Sequence, residues 1–277
     1  MSLGIALKHV LAPLVIAGAA IIGGCASPGE LLDRRARAAG LEIVHVSSGE
    51  FPSLVYLKRN DRLASATALT IFLESDGLPW SDGRTPSADP TTRQPLALEL
   101  MIRSPGPAAY ITRPCYHGLR PEKCTVELWT GARYSPQIVE SMAATAREAQ
   151  RQIGAANVSL VGYSGGGALA VLIAERLENV TSVVTVAANL DTDAWTEHHG
   201  YLPMSQSLNP ALSERPHPWP EFHLRGANDS VVPAATTARY FSRYPEARQR
   251  TVEGFDHVCC WVREWPGISE IATARAP

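Results

Sequence analysis

The 277-residue chain lacks several things that would assign it quickly. It has no surplus of positive charge: 25 Lys and Arg face 27 Asp and Glu, a formal net charge of -2, which excludes a polybasic nucleic-acid clamp as the whole protein. It has only five cysteines, none in a CxxC pair, and its eight histidines form neither an HExxH helix nor a compact Cys/His cluster, so zinc-site spacing is missing. No tandem repeat is present. What is present is length beyond a minimal binding module, 45% apolar residues, 21 Gly and 21 Pro, a balance that predicts a turn-rich globular protein with one large core or two small ones.

One uncharged, mostly apolar run, Val10 to Gly24, follows Lys8 and His9 and is too short to span a bilayer comfortably. It ends in Ile22-Gly23-Gly24-Cys25, which resembles a bacterial lipobox. That resemblance implies that residues 1–24 are a lipoprotein signal peptide and that Cys25 becomes an acylated amino terminus. The protein is then expected in the cell envelope with a lipid bilayer as partner, each buried methylene contributing about 0.8 kcal/mol. On this reading 25–40 is an anchor-proximal linker, 41–267 the folded domain and 268–277 a carboxyl-terminal tail. An oxidising compartment permits disulfides, and Cys115 and Cys124 flank a short Pro-containing loop that one could staple. For the adjacent Cys259 and Cys260, a vicinal disulfide and two buried thiols both remain open.

Strand-like runs occur at 41–46, 54–57, 69–73, 157–161, 182–188, 221–225 and 248–252, bounded by Gly, Pro and Ser. Helices are expected from about Ser135-Pro136 to Ile153, with the Ser135 hydroxyl as cap, over 165–177, and around 234–241. Residues from Glu74 through Arg93 read as a long surface loop, and 189–220 as a cap or rim insertion. The strand–helix alternation predicts an α/β fold, a mostly parallel central sheet flanked by helices.

The sharpest local signal is Gly162-Tyr163-Ser164-Gly165-Gly166, a GxSxG sequence between a predicted strand and a predicted helix. Small residues on both sides let the chain turn tightly and lift the Ser164 hydroxyl above the sheet. The backbone N–H of Gly165 is then placed to receive charge developing on a carbonyl oxygen. Asp229 follows in Gly226-Ala227-Asn228-Asp229, and His257 in Gly254-Phe255-Asp256-His257.

With these three segments the chain resembles the α/β-hydrolase family over about Leu41 to Trp261, and the order Ser164, Asp229, His257 is the family's. The resemblance implies a nucleophile, Ser164, a general base, His257, and a carboxylate, Asp229, that orients it. Asp191 and Asp193, just after an earlier predicted strand, are alternative acids, and Asp256 is the neighbour of His257 in sequence. The family's first oxyanion loop often carries His-Gly; here Glu74-Ser75-Asp76-Gly77 has no histidine, and Asp76 N–H, with Gly77 N–H as the alternative, is the expected donor beside Gly165 N–H. In that position the Asp76 carboxylate has to turn away or be hydrogen-bonded. Arg133 either binds a carboxylate or closes an internal salt bridge. Trp80, Tyr110, Trp195, Tyr201 and Trp219 are candidates for an apolar rim. The implied activity is hydrolysis of a small acyl ester, with no cofactor and no metal. Alternatives are a serine peptidase or amidase on short substrates, and a non-enzymatic envelope protein binding a lipid or partner.

Overall fold

The computed structural model describes residues 26–59 and 68–273. The expected signal peptide and Cys25 lie outside the described residues, as does the end of the expected tail.

Eight strands form one sheet: β1 (Glu42–Val46), β2 (Ser53–Lys58), β3 (Ala68–Leu73), β4 (Ala108–Ile111), β5 (Asn157–Tyr163), β6 (Val180–Val186), β7 (Glu221–Gly226) and β8 (Arg248–Val252). Their spatial order is β1-β2-β4-β3-β5-β6-β7-β8. Only β2 runs against its neighbours, β1 and β4; every other pairing is parallel. This is the α/β-hydrolase arrangement.

Helices cover both faces, as a parallel sheet requires. On one side α1 (Pro28–Ala38), α2 (Leu96–Arg103) and α7 (Trp261–Thr273) pack with Tyr56, Phe72, Tyr110 and Val184. On the other, α3 (Pro136–Ile153), α4 (Gly165–Ala174) and α6 (Ala238–Arg243) pack with Leu57, Ile71, Leu73 and Leu160. All ten residues of α4 are buried, which fits a helix that is apolar on every side. At the outer edge β8 carries Arg248 and Arg250 exposed, charges that discourage pairing with another sheet.

Three expectations need correction. Most of the expected anchor-proximal linker is helix: among its described residues Ser27 and Glu30 form a reciprocal capping box, Pro28 opens α1, and Leu32 and Ala36 are in the core. Burying Leu32 alone contributes about 2 kcal/mol. The domain does not stop at 267, because α7 runs to Thr273 and Ile268 is buried. Ser135 makes no side-chain cap bond, and its buried hydroxyl has no partner; Pro136, with its pre-set φ, starts α3.

The start of β7, which leads to Asp229, is fixed by a buried polar cluster. Glu221 accepts hydrogen bonds from Tyr240 Oη at 2.6 Å and Trp219 Nε1 at 3.1 Å, and lies 3.0 Å from His223 Nε2 and 2.7 Å from His217 Nδ1. His217 Nε2 is 3.1 Å from Glu175. Burial alone would lower the His217 pKa, but Glu175 and Glu221 carry it up to about 9.

Candidate active site

β5 ends where α4 begins, and the turn between them is Ser164, with φ 55° and ψ -122°. A left-handed φ is costly for a residue with a Cβ and is held here by the surrounding packing. Ser164 N–H donates to Val186 O at 2.9 Å, and Ser164 O accepts from Gly167 N at 2.9 Å. The glycines serve close approach: a Cβ on Gly162 would run into the Gly166 carbonyl, and one on Gly167 into Ala188. Being the first residue of α4, Gly165 has an N–H without a partner inside its own helix, at the helix's positive end.

The other two side chains arrive from the loops after β7 and β8. These loops are tied together: Asn228 N–H donates to Phe255 O at 2.8 Å, and Gly226 packs so closely on Phe255 that a Cβ would collide. Trp261 Nε1 donates to the carbonyls of Asp256 and His257 at 3.1 and 3.2 Å, fixing the second loop to α7. His257 Nε2 thereby lies 3.0 Å from Ser164 Oγ, and His257 Nδ1 lies 2.9 Å from Asp229 Oδ2. The second Asp229 oxygen accepts from the Val231 and Val232 amides at 2.9 and 2.8 Å. The Asp229 side chain is 1% exposed and that of His257 13%, so the pair is screened from water while the ring keeps an open side.

The other acids are engaged elsewhere. Asp191 caps α5 (Thr192–His199) through the Ala194 amide and pairs with Arg239 and Asn209, Asp193 also reaches Arg239, and Asp256 accepts from the Val258 and Cys259 amides. The expected cap segment, 189–220, carries α5, whose Trp195 Nε1 donates to Val231 O at 2.7 Å; His199 Nε2 is 2.9 Å from the same carbonyl. Of the five rim candidates, Trp195 and Tyr201 meet edge to face beside this loop with centroids 5.3 Å apart, and the neighbouring Leu202 is exposed. Trp80 is bridged to Pro86 within its own loop, and Trp219 packs on His217. Tyr110 does not belong to a rim: it sits in β4, 1% exposed, stacked on Tyr56.

The loop after β3 brings Asp76 against the elbow, so that a Cβ on Gly165 would overlap its carboxylate and stand 2.5 Å from Tyr134 Oη. The carboxylate is hydrogen-bonded and turned from solvent. Oδ1 accepts from Arg113 Nη2 and Tyr134 Oη, both at 2.7 Å, and Oδ2 from Arg133 Nη1 at 2.8 Å. Tyr116 Oη donates to Asp76 O at 2.9 Å, which pins the backbone as well. Burial pushes against ionisation of Asp76, but Arg133 and Arg113 outweigh it and hold its pKa below the ordinary range. Glu74 faces away, accepting from the Ser75 and Ala97 amides at 2.9 and 3.0 Å; its burial lifts the carboxyl to about 7. Arg133 thus closes an internal ion pair. The part played by Arg113, Tyr116 and Tyr134 had no sequence signal, since they lie 37 to 58 residues after Asp76.

Both cysteine pairs are disulfides, Cys115–Cys124 and Cys259–Cys260, the second two residues beyond His257. Among the described residues no group of three or more His, Cys, Asp or Glu side chains is arranged to hold a metal ion. No helix among them is long and apolar enough to cross a membrane.

No protein-family model matches the sequence, and no curated protein matches it. Solved structures do resemble it. An esterase from Pyrococcus furiosus shares 11% identity with a TM-score of 0.60, over 85% of this chain and 90% of that one. A hyperthermophilic esterase from the archaeon Pyrobaculum calidifontis shares 14% with a TM-score of 0.56, over 89% and 90%. A proline iminopeptidase-related protein from Thermus thermophilus shares 12% with a TM-score of 0.56, over 83% and 95%. At such identities the likeness is one of fold.

Proposed function

We propose that the protein is a serine hydrolase that cleaves carboxylic esters through an acyl-enzyme. The observation that carries this reading is the continuous relay from Asp229 Oδ2 through His257 to Ser164 Oγ, with steps of 2.9 and 3.0 Å. A buried carboxylate on Nδ1 fixes the tautomer whose Nε2 accepts a proton, so the hydroxyl becomes nucleophilic where it meets substrate.

Ser164 Oγ attacks the ester carbonyl carbon as its proton passes to His257 Nε2. The carbonyl π bond opens onto oxygen, and the amides of Gly165 and Asp76 receive the negative charge. When the tetrahedral adduct collapses, the bond to the leaving oxygen breaks and His257 returns the proton to it. A water then gives a proton to His257 and attacks the acyl carbon; when this second adduct collapses, the bond to Ser164 Oγ breaks, His257 returns the proton to Oγ, and the acid leaves. Two of the structural neighbours are esterases, which makes an ester the first substrate class to test, and a proline iminopeptidase-related neighbour makes short amides the second. The lipobox-like Ile22-Gly23-Gly24-Cys25 supports a lipid anchor at Cys25 in a bacterial envelope.

A fluorophosphonate probe should label the wild-type protein and fail to label folded Ser164→Ala. Matched p-nitrophenyl esters and aminoacyl amides then assign the bond. Hydrolysis of esters alone is expected; turnover of amides alone would replace the esterase by a peptidase. Labelling that survives Ser164→Ala would overturn the nucleophile.

A further inference from the structure

Asp76 puts a negative charge where one should do harm. Its carboxylate abuts Gly165, whose amide meets the oxyanion in the serine-hydrolase reading on which this inference rests, so an uncompensated carboxylate there would repel the charge that catalysis creates. One guanidinium would cancel it, yet two are present: Arg113 Nη2 at 2.7 Å on Oδ1 and Arg133 Nη1 at 2.8 Å on Oδ2. Their side chains are only 4% and 8% exposed, so solvent screens neither. Arg113 is further held by Glu74 O, and Arg133 by Thr130 O at 2.7 Å. Glu74, two residues earlier in the loop, is hydrogen-bonded to the Ser75 and Ala97 amides and makes no ion pair with either guanidinium. Among the described residues Arg113 and Arg133 thus share Asp76 as their one ion-pair partner, and this cluster taken by itself carries one surplus positive charge beside the oxyanion site. A buried, unmatched cation is costly in a resting fold and is repaid where an anion appears transiently.

We infer that Arg113 and Arg133 are positioning residues for the oxyanion site: they neutralise the Asp76 carboxylate, so that it can lie against Gly165, and their surplus charge is matched only when the tetrahedral oxyanion forms. They act on the transition state more than on the neutral ester, which places their effect in kcat and not in KM. Tyr134 supplies a neutral donor to the same carboxylate and contributes geometry without charge.

The test uses Arg133→Gln, Arg133→Lys and Tyr134→Phe in the full chain. The readouts are kcat and KM on p-nitrophenyl butyrate, Ki for phenylboronic acid, which becomes a tetrahedral anion on a reactive serine, thermal melting, and fluorophosphonate labelling. Arg133→Gln should lower kcat by about 30- to 100-fold and weaken the boronate by a similar factor, with KM within about twofold. Arg133→Lys, which keeps the charge and loses the fork, should recover most of both, and Tyr134→Phe should cost less than Arg133→Gln. If Arg133→Gln does not fold, Arg133→Lys and Tyr134→Phe decide alone, the lysine variant then being required to keep the tighter boronate binding. Equal losses in Lys and Gln variants, a loss confined to KM, or an unchanged boronate Ki in a labelled, active protein would overturn the inference and leave the esterase reading intact. A wild type that is neither labelled nor active removes the reading and the inference together.

Discussion

Asp229→Asn isolates the relay, because the structure dictates which way the amide must sit. Asp229 Oδ1 accepts two backbone N–H groups, from Val231 and Val232, at 2.9 and 2.8 Å, and an NH2 group there would face two donors. The carboxamide oxygen of the variant therefore stays on those amides and its NH2 turns to His257 Nδ1, 2.9 Å away from the present Oδ2. That nitrogen must then accept, so the ring proton moves to Nε2 and points at Ser164, leaving no base for the hydroxyl. The expected loss in kcat is about 10,000-fold, or about 5 kcal/mol of transition-state stabilisation, with little change in KM. The shape of the site is retained, so melting temperature should fall by no more than a few degrees. Steady-state hydrolysis of a p-nitrophenyl ester measures it, with Asp191→Asn as comparison. A folded Asp229→Asn retaining a tenth of wild-type turnover, or a larger loss in Asp191→Asn at equal stability, would refute the assignment.

Three further outcomes are expected. Gly165→Ala drives a methyl into the Asp76 carboxylate, and the forced shift should cost about 1–3 kcal/mol in stability and at least tenfold in kcat, read by urea denaturation and ester turnover. His217, raised from 6.5 to about 9, stabilises the fold fully below about pH 6.5 and loses that contribution as pH rises through about 9; Glu221, held low, acts in the opposite sense only in acid. The urea midpoint should therefore decline between pH 7 and 10, and a decline just as steep in His217→Gln would reject the cause. Replacing both Cys115 and Cys124 by serine opens a loop with a sequence separation of 9 and should remove about 3 kcal/mol of stability, seen as a lower denaturant midpoint; an unchanged midpoint would show that the bond constrains nothing.

The elbow and the loops of Asp229 and His257 were legible because each role there needs a specific residue type in a short local frame. The central strands were legible as compact β-rich runs. β4 was missed because Ala108-Ala109-Tyr110-Ile111 is four residues long and half alanine; its neighbours, not its own propensity, make it a strand. α1 did carry a signal, the Ser27-Pro28-Gly29-Glu30 capping box, which was read instead as chain between an anchor and a domain. Tyr110 looked like a rim residue because aromatic type alone does not say which way a strand residue faces. The need for Asp76 to be hydrogen-bonded followed from local chemistry. Which residues would do it did not, since Arg113 and Arg133 meet it only after the sheet has folded.

The capped start of α1 leaves just Ala26 and Ser27 between Cys25 and the helix at Pro28. Three residue steps reach about 10 Å at full stretch, so the lipid anchor proposed at Cys25 would moor the body with almost no slack. α1 packs on β1, and its Arg35 is paired with Glu99 of α2 at 2.5 Å, which fixes the helix to its neighbour. From β1 to the elbow strand β5 is four strand spacings, roughly 19 Å. A molecule held in this way could not swing out to sample distant fluid; it would work on whatever arrives within a short, fixed height of its own membrane.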